Sequence, residues 1–179
     1  RSVMSVSQSV SQSVSAPLAE GTDRSLQEPA CAALRLLALS AAAAASMGTL
    51  DVVDSLVRLL TRGDAQLREG AAAILGTLAL QPAPRDRVLA SGAVAALVRL
   101  LPLRHEPTQE AAMRALKSLA VSADGVEQIT KAGGMQALVR LLQSRSAVLH
   151  GAAAAALEVL TMDAHRREEL QRSLPQPPE

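Results

Sequence analysis

The chain has few residues able to do chemistry. The candidates are a single cysteine, Cys31, and three histidines, His105, His150 and His165. Metal binding or nucleophilic catalysis needs several such groups converging on one point. In a sequence, such a site is often indicated by ligand residues a few positions apart. No metal-ligand or catalytic motif surrounds any of the four. We therefore interpret the histidines as loop, helix-start and terminal polar residues, and Cys31 as a partly buried, inert thiol. The prediction is a non-catalytic protein with no metal and no cofactor.

The charge pattern gives no sign of a nucleic-acid or membrane partner. The chain holds 18 basic and 17 acidic residues, spread along its length without a long run of like charge. No apolar stretch reaches the roughly 18 residues that a membrane span needs. No secretory signal is visible, and a single cysteine cannot form an internal disulfide. We expect a cytoplasmic or nuclear protein that binds neither nucleic acid nor membrane.

The composition favours layers of helices over a compact globular core. Apolar residues make up 49% of the chain, yet Phe, Tyr and Trp are all absent. A compact core of this size normally uses aromatic side chains to fill its volume. A core built from Leu, Val, Ile and Ala instead suits thin layers of closely packed helices.

A repeated string shows that these helices recur at a constant interval. Leu-Val-Arg-Leu-Leu occurs at 56–60, 97–101 and 138–142, and the interval from 56 to 97 equals that from 97 to 138. We call this interval the repeat length. Two leucine columns share it and form the predicted core: Leu34, Leu75, Leu116 and Leu157, and Leu37, Leu78, Leu119 and Leu160. Internal repetition with a period of about 20–50 residues is typical of solenoids and other repeat architectures.

Each unit is predicted to contain three helices. In the clearest copy, residues 85–91 form a short first helix that Gly92 ends, since glycine readily takes the left-handed conformation after a helix. Residues 93–103 place their apolar side chains on one face, with the spacing of an amphipathic second helix. Proline suits the first turn of a helix, so Pro107 marks the start of a third helix over 107–121.

The units resemble the armadillo repeat family. The resemblance rests on 92–101 (GAVAALVRLL), 109–112 (QEAA), 115–120 (ALKSLA) and 133–142 (GGMQALVRLL). They match the family's glycine before helix two, its Leu-Val-x-Leu-Leu core and its Ala-Leu-x-Asn-Leu-Ala third helix. HEAT-type repeats are the nearest alternative, and the short first helix favours armadillo. The resemblance implies an all-α fold, a right-handed α-solenoid of three-helix repeats.

The repeat register becomes irregular at both ends of the chain. Residues 1–17 are rich in Ser, Val and Gln and occupy the place of a degenerate first repeat. Such sequence buries too little to offset an ordering cost of about 1–2 kcal/mol per residue, so we expect it to be frayed or disordered. The armadillo array is predicted over 18–172, with 166–172 matching the first helix of a further unit. A proline-rich tail follows at 173–179, and we expect a monomeric piece of a longer chain.

The resemblance also implies a binding surface, because third helices in the family line a groove that holds extended peptides. An Asn that binds the peptide backbone and a Trp four residues earlier do much of this work. The Asn position falls here on Leu36, Thr77, Ser118 and Val159, and the Trp position on Ala32, Ala73, Arg114 and Ala155. Since neither residue type is present at these positions, a nuclear-import ligand is not expected.

A different binding chemistry is available on the same helices. Arg35, Arg114 and Lys117 are expected along the third-helix surface, where they can pair with acidic side chains of a partner. An exposed ion pair is worth only about 0–1 kcal/mol, so affinity requires several contacts. These three residues and Ser118 are the predicted partner-binding residues. The alternative is that they are solvated surface residues, with Glu158 interrupting the basic stripe.

The predicted function is a non-catalytic scaffold that binds a protein or peptide partner along the concave third-helix surface. A solenoid exposes a long surface of this kind and has no enclosed pocket for chemistry. Two alternatives stay open. The chain can be the substrate-recruiting module of a larger protein such as a U-box-type ubiquitin ligase, or a structural end piece of a longer array.

Overall fold

The structure, a computed structural model, describes residues 24–38 and 50–173. All regular secondary structure in these two ranges is α-helical. The helices are α1 (Arg24–Leu37), α2 (Leu50–Arg62), α3 (Ala65–Leu78), α4 (Pro82–Ala90), α5 (Ala93–Leu100), α6 (Glu106–Leu119), α7 (Ala123–Lys131), α8 (Gly134–Leu141) and α9 (Ala147–Ser173). Within the same ranges, no helix is both long and apolar enough to cross a bilayer. The predicted low-complexity segment 1–17 and residues 174–179 of the predicted tail lie outside the described residues.

The helices repeat in the predicted order of first, second and third. One complete unit consists of α4, α5 and α6, and the next of α7, α8 and α9. The preceding unit contributes its second and third helices, α2 and α3, and α1 is the third helix of the unit before. The third helices begin at Arg24, Ala65, Glu106 and Ala147, each one repeat length after the last. The period read from the sequence is therefore the period of the fold.

Helices of the same kind pack beside each other. The most extensive packing joins α3 to α6, and α1 and α9 flank this pair, so the third helices form one layer. In the same way α2 packs against α5, and α4 against α7. Each unit thus buries its apolar face against its neighbours, which is the defining property of a solenoid.

The core consists of leucines from the two predicted columns. Leu34, Leu75 and Leu116 are at most 1% exposed, and the second column is similarly buried wherever its side chains are described. Leu157 differs from its column, because it is only half-buried. Within the described residues α9 has a third-helix neighbour on one side only, so its share of the core is incompletely covered.

A glycine forms the corner between the first and second helix of each complete unit. Gly92 and Gly133 have φ angles of +77° and +78°, in the left-handed region that side chains with a Cβ rarely adopt. The two glycines are one repeat length apart, and each precedes a second helix. The corner predicted at Gly92 is confirmed.

The third helices share a capping position as well as a starting point. Asp64, His105 and Ser146, again spaced by the repeat length, each accept a hydrogen bond from the backbone N–H three residues further on. The distances are 3.0, 3.3 and 3.3 Å. Such bonds satisfy one of the N–H groups that the first turn of a helix leaves without a partner.

A second set of hydrogen bonds ties each third helix back to the second helix before it. Gln109 Nε2 donates to the carbonyl oxygen of Leu101 at 2.7 Å, and His150 Nδ1 lies 2.8 Å from that of Leu142. The two side chains and the two carbonyls are each one repeat length apart. His105 and His150 are therefore polar residues of the helix corners, as interpreted from the sequence.

The last helix departs from the predicted arrangement. Residues 166–172 were expected to form the first helix of a further unit, but α9 continues without a break from Ala147 to Ser173. The earlier boundaries carry Pro82 and Pro84 or Gly125, which favour a new start. Residues 161–165 (TMDAH) contain neither proline nor glycine, so nothing in the local sequence ends the helix there.

Candidate partner-binding groove

One groove of about 670 Å³ runs across the layer of third helices. Its walls come from α1, α3, α6 and α9 and from the residues that directly follow α3 and α6. We call it the third-helix groove, and it is lined by Arg35, Leu36, Ala72, Ala73, Gly76, Thr77, Leu80, Ala111, Arg114, Ala115, Lys117, Ser118, Val121 and Val159.

The groove brings together all four residues predicted to bind a partner. Arg35 comes from α1, and Arg114, Lys117 and Ser118 come from α6. The constant repeat length explains this grouping, since equivalent positions on successive third helices must lie side by side. Whether they contact a partner stays a prediction.

The middle of the groove is smooth because small residues let α3 and α6 approach closely. A Cβ placed on Gly76 would lie 3.0 Å from the Cα and 3.2 Å from the Cβ of Ala115. The two helices are also fixed in register by Thr108, whose Oγ1 donates to the carbonyl oxygen of Ala65 at 3.0 Å. Thr108 is fully buried. The small residues therefore serve helix stacking, and they leave a shallow apolar surface for a partner.

Exposed apolar side chains also line the groove, and they were not among the predicted binding residues. Leu36, Leu80 and Val121 are 68%, 67% and 66% exposed, although large apolar side chains elsewhere in these helices are mostly buried. Val159 adds a half-buried side chain on α9. The sequence did contain a sign of this apolar surface, because Leu80 and Val121 are one repeat length apart and closely follow α3 and α6. Several exposed apolar side chains in one groove are a feature of interaction sites.

The charges that line the groove have one sign. Arg35, Arg114 and Lys117 are exposed, and no aspartate or glutamate is among the lining residues that the structure describes. Arg114 forms an ion pair within its own helix, with 3.2 Å between its Nη2 and Glu110 Oε1. Glu158, expected to interrupt the basic stripe, is exposed but does not line the groove. The described groove is therefore basic.

The hydroxyl groups in the groove already have partners for their protons. Thr77 Oγ1 donates to the carbonyl oxygen of Ala73 at 3.0 Å, and Ser118 Oγ donates to that of Arg114 at 3.2 Å. Each hydroxyl thus bonds within its own helix, a common arrangement for these residues. Only the oxygen lone pairs of Thr77 and Ser118 remain to accept from a partner.

Cys31 is not among the residues that line the groove; it lies on α1, where that helix packs against α3. Cys31 is buried, and a Cβ placed on Gly70 would lie 3.9 Å from its Sγ. Burial raises the pKa of the Cys31 thiol to about 11, because a thiolate would lose its hydration there. The thiol is therefore protonated near neutral pH and a poor nucleophile. Across the described part of the chain, no cluster of His, Cys, Asp and Glu is suited to hold a metal ion.

Comparison with known proteins connects this geometry to one repeat family. The family model for the armadillo/β-catenin-like repeat matches residues 122–162, which contain α7, α8 and the first part of α9. No curated protein sequence matches the chain.

Several solved structures of engineered proteins have the same fold. An engineered protein from a structural genomics programme is 30% identical with a TM-score of 0.78, over 83% of this chain and 61% of that protein. A computationally designed armadillo repeat protein for modular peptide recognition is 21% identical with a TM-score of 0.75, over 82% and 62%. A designed armadillo repeat protein in complex with the peptide (KR)4 is 18% identical with a TM-score of 0.76, over 91% and 74%. This chain spans less than two thirds of the length of the first two.

The described helices thus form an all-α solenoid of the armadillo type. The resemblance of the sequence to the armadillo repeat family is confirmed by the matching repeat and by the structural likeness.

Proposed function

We propose that this protein is a non-catalytic scaffold that binds a protein partner in the third-helix groove. The observation that carries the proposal is the composition of that groove. It combines three cations with three large apolar side chains that are about two-thirds exposed, on one surface and without a lining carboxylate among the described residues. The groove runs across the third helices of several units, so it offers a long surface for a polypeptide.

The solved structures support a polypeptide ligand and suggest a difference in its charge. The likeness of fold includes designed proteins described as made for peptide recognition and as bound to the basic peptide (KR)4. A basic peptide would be repelled by Arg35, Arg114 and Lys117. We therefore expect the partner of this chain to present acidic side chains to the groove.

The proposal is tested by affinity capture from a native extract with three forms of the chain. The groove variant carries Arg114→Glu and Lys117→Glu. The control variant carries Arg99→Glu and Arg140→Glu, which change the net charge equally at two exposed positions of α5 and α8 outside the groove. Circular dichroism first establishes that all three have the same helicity.

We expect the amount of captured partner protein to fall about tenfold with the groove variant and to stay constant with the control variant. The reason is that reversal of two contacting charges costs roughly 1.4 kcal/mol of binding free energy. Proteins captured equally by all three forms would place the binding surface elsewhere. If no protein is captured by any form, the groove does not bind a partner, and a spacing or capping role for the chain replaces the proposal.

A further inference from the structure

We infer that the occupant of the third-helix groove is an α-helix with an apolar stripe flanked by acidic side chains, rather than an extended peptide. This inference rests on the proposed function and specifies the form of the partner. It follows from the hydrogen-bonding groups that the groove offers and from those it lacks.

An extended segment laid in this groove would leave most of its backbone N–H groups without partners. Every residue of an extended chain carries one N–H and one C=O that need hydrogen bonds when they are removed from water. The described lining side chains include no Asn, Gln, Asp or Glu, and the only acceptors among them are the hydroxyl oxygens of Thr77 and Ser118. The backbone carbonyls inside the surrounding helices accept from N–H groups of the same helices, and only carbonyls of the last turns are left to accept from a partner. The described groove therefore offers few acceptors for the N–H groups of an extended backbone.

A helical occupant removes this difficulty, because its backbone groups bond to each other. It needs from the groove only apolar contact and complementary charge, and these are the two things the groove provides. Small residues such as Gly76 and Ala115 form the floor of the groove between α3 and α6, so no large side chain rises from that part of the floor to hold a partner helix away.

The exposed apolar residues provide the contact surface for such a helix. Leu36 lies on α1, and Leu80 and Val121 closely follow α3 and α6, so the three side chains come from three successive units. Apolar residues at i, i+3, i+4 and i+7 of a partner helix form a stripe able to cover them. Burial of these side chains then supplies most of the affinity.

The charges define what flanks that stripe. Arg35, Arg114 and Lys117 lie among the apolar residues of the groove, and no aspartate or glutamate is among its described lining residues. The carboxylate of Glu110 already contacts Arg114, and its side chain is only 36% exposed, so an acidic partner residue would join or displace this pair. Acidic residues on both sides of the apolar stripe are therefore expected in the partner helix.

The test is a selection from a random peptide display library on the full chain, with peptides long enough for about four helical turns. Peptides that also bind the Arg114→Glu, Lys117→Glu variant are removed, so that those retained depend on the groove. Each retained peptide is synthesised with carbon-13 labels, and its bound conformation is read from Cα chemical shifts. Two proline variants are compared, one with proline in the centre and one with proline at the first helical residue, where a helix tolerates it.

We expect retained peptides with several Asp or Glu residues, apolar residues spaced three and four apart, and helical shifts in the complex. The central proline should weaken binding roughly 100-fold, and the first-position proline should change it less than about threefold. Groove-dependent peptides that bind in extended form, or that tolerate the central proline, would overturn this inference and leave the proposed function standing. If no peptide is left after those that also bind the variant are removed, both fall.

Discussion

The same pentapeptide, Leu-Val-Arg-Leu-Leu, lies in two environments in this molecule. Residues 97–101 lie in and directly after α5, and every apolar member is at most 8% exposed. Residues 138–142, in and directly after α8, include one fully buried residue, Leu138. Val139 there is 50% exposed, whereas its counterpart Val98 is 8% exposed. Identical local sequence therefore does not give identical burial.

The difference comes from the next unit along the array. Val98 lies against the start of α8, because its Cγ2 would be 3.3 Å from a Cβ placed on Gly134, the first residue of that helix. The cover for Val139 would have to come from the second helix of a following unit, and none follows within the described residues. In a solenoid each unit supplies half of a core and its neighbour supplies the rest. Stability should thus depend on position in the array more than on the residue itself.

The largest expected effect compares two leucines of one core column. Leu116→Ala should lower the free energy of unfolding by about 2–5 kcal/mol, because it opens a cavity at a site with neighbours on both sides. Leu157→Ala should cost less than half as much, since Leu157 is already half-buried. Urea unfolding followed by far-UV circular dichroism measures both. Equal losses would show that the unit of α9 is as well covered as the unit of α6.

The next comparison uses the valines of the repeated pentapeptide. Val98→Ala removes two buried methyl groups and should cost about 1–2 kcal/mol. Val139→Ala should change the free energy of unfolding by less than about 0.5 kcal/mol, as exposed positions do. The same unfolding experiment applies. A cost at Val139 near that at Val98 would mean that a further element covers α8 in solution.

Replacement by alanine should change the free energy of unfolding in opposite directions at two glycines. Gly76 faces the backbone of Ala115, so Gly76→Ala should separate α3 from α6 and lower stability by about 1 kcal/mol after its gain in helix propensity. Gly151 in α9 has open space where its Cβ would stand, so Gly151→Ala should raise stability by about 0.5–1 kcal/mol. Thermal melting of the two variants gives the signs. A stabilising Gly76→Ala would show that the third helices are not in close contact.

The smallest effect at neutral pH concerns the other edge of the described array, where Cys31 of α1 is buried against α3. The pKa of this thiol is about 11 in the folded chain against 9.0 as its ordinary value. Below pH 9 the thiol is neutral whether the chain is folded or unfolded, and it contributes nothing to the pH dependence of stability. Between pH 9 and pH 11 only the unfolded chain ionises, so this contribution falls as pH rises.

A thiol reagent measures this edge directly. At pH 8 the folded chain should react far more slowly than the chain in urea, and the pH dependence of stability above pH 9 should be weaker in Cys31→Ala. Rapid labelling of the folded chain would show that α1 separates readily from α3. The two edges of the described array would then resemble each other.

The sequence predicted what depends on periodicity. The repeat length, the three helices of each unit, the corner at Gly92 and the burial of Leu116 all follow from the order of apolar and small residues along the chain. The assembly of Arg35, Arg114 and Lys117 on one surface followed as well, once the third helices were taken to lie side by side.

What depends on neighbours in space was not predictable in the same way. The exposure of Leu36, Leu80 and Val121 is set by which helices cover them, and a leucine on a helix gives no indication of that. The half-burial of Leu157 arises at the edge of the described array. The hydrogen bond from Thr108 to Ala65 joins residues of neighbouring units, and no local sequence pattern predicts it.

The caps of the third helices have a consequence for how such chains are compared. Asp64, His105 and Ser146 do the same work with a carboxylate, an imidazole and a hydroxyl. A comparison that scores amino-acid identity finds three unrelated letters at this position and treats it as unconstrained. The constraint is on hydrogen-bonding capacity, so side chains that place an acceptor within reach of the N–H three residues further on are interchangeable at this position. An alignment of repeats that scores the presence of a hydrogen-bond acceptor, rather than the identity of the amino acid, would identify this capping position as constrained.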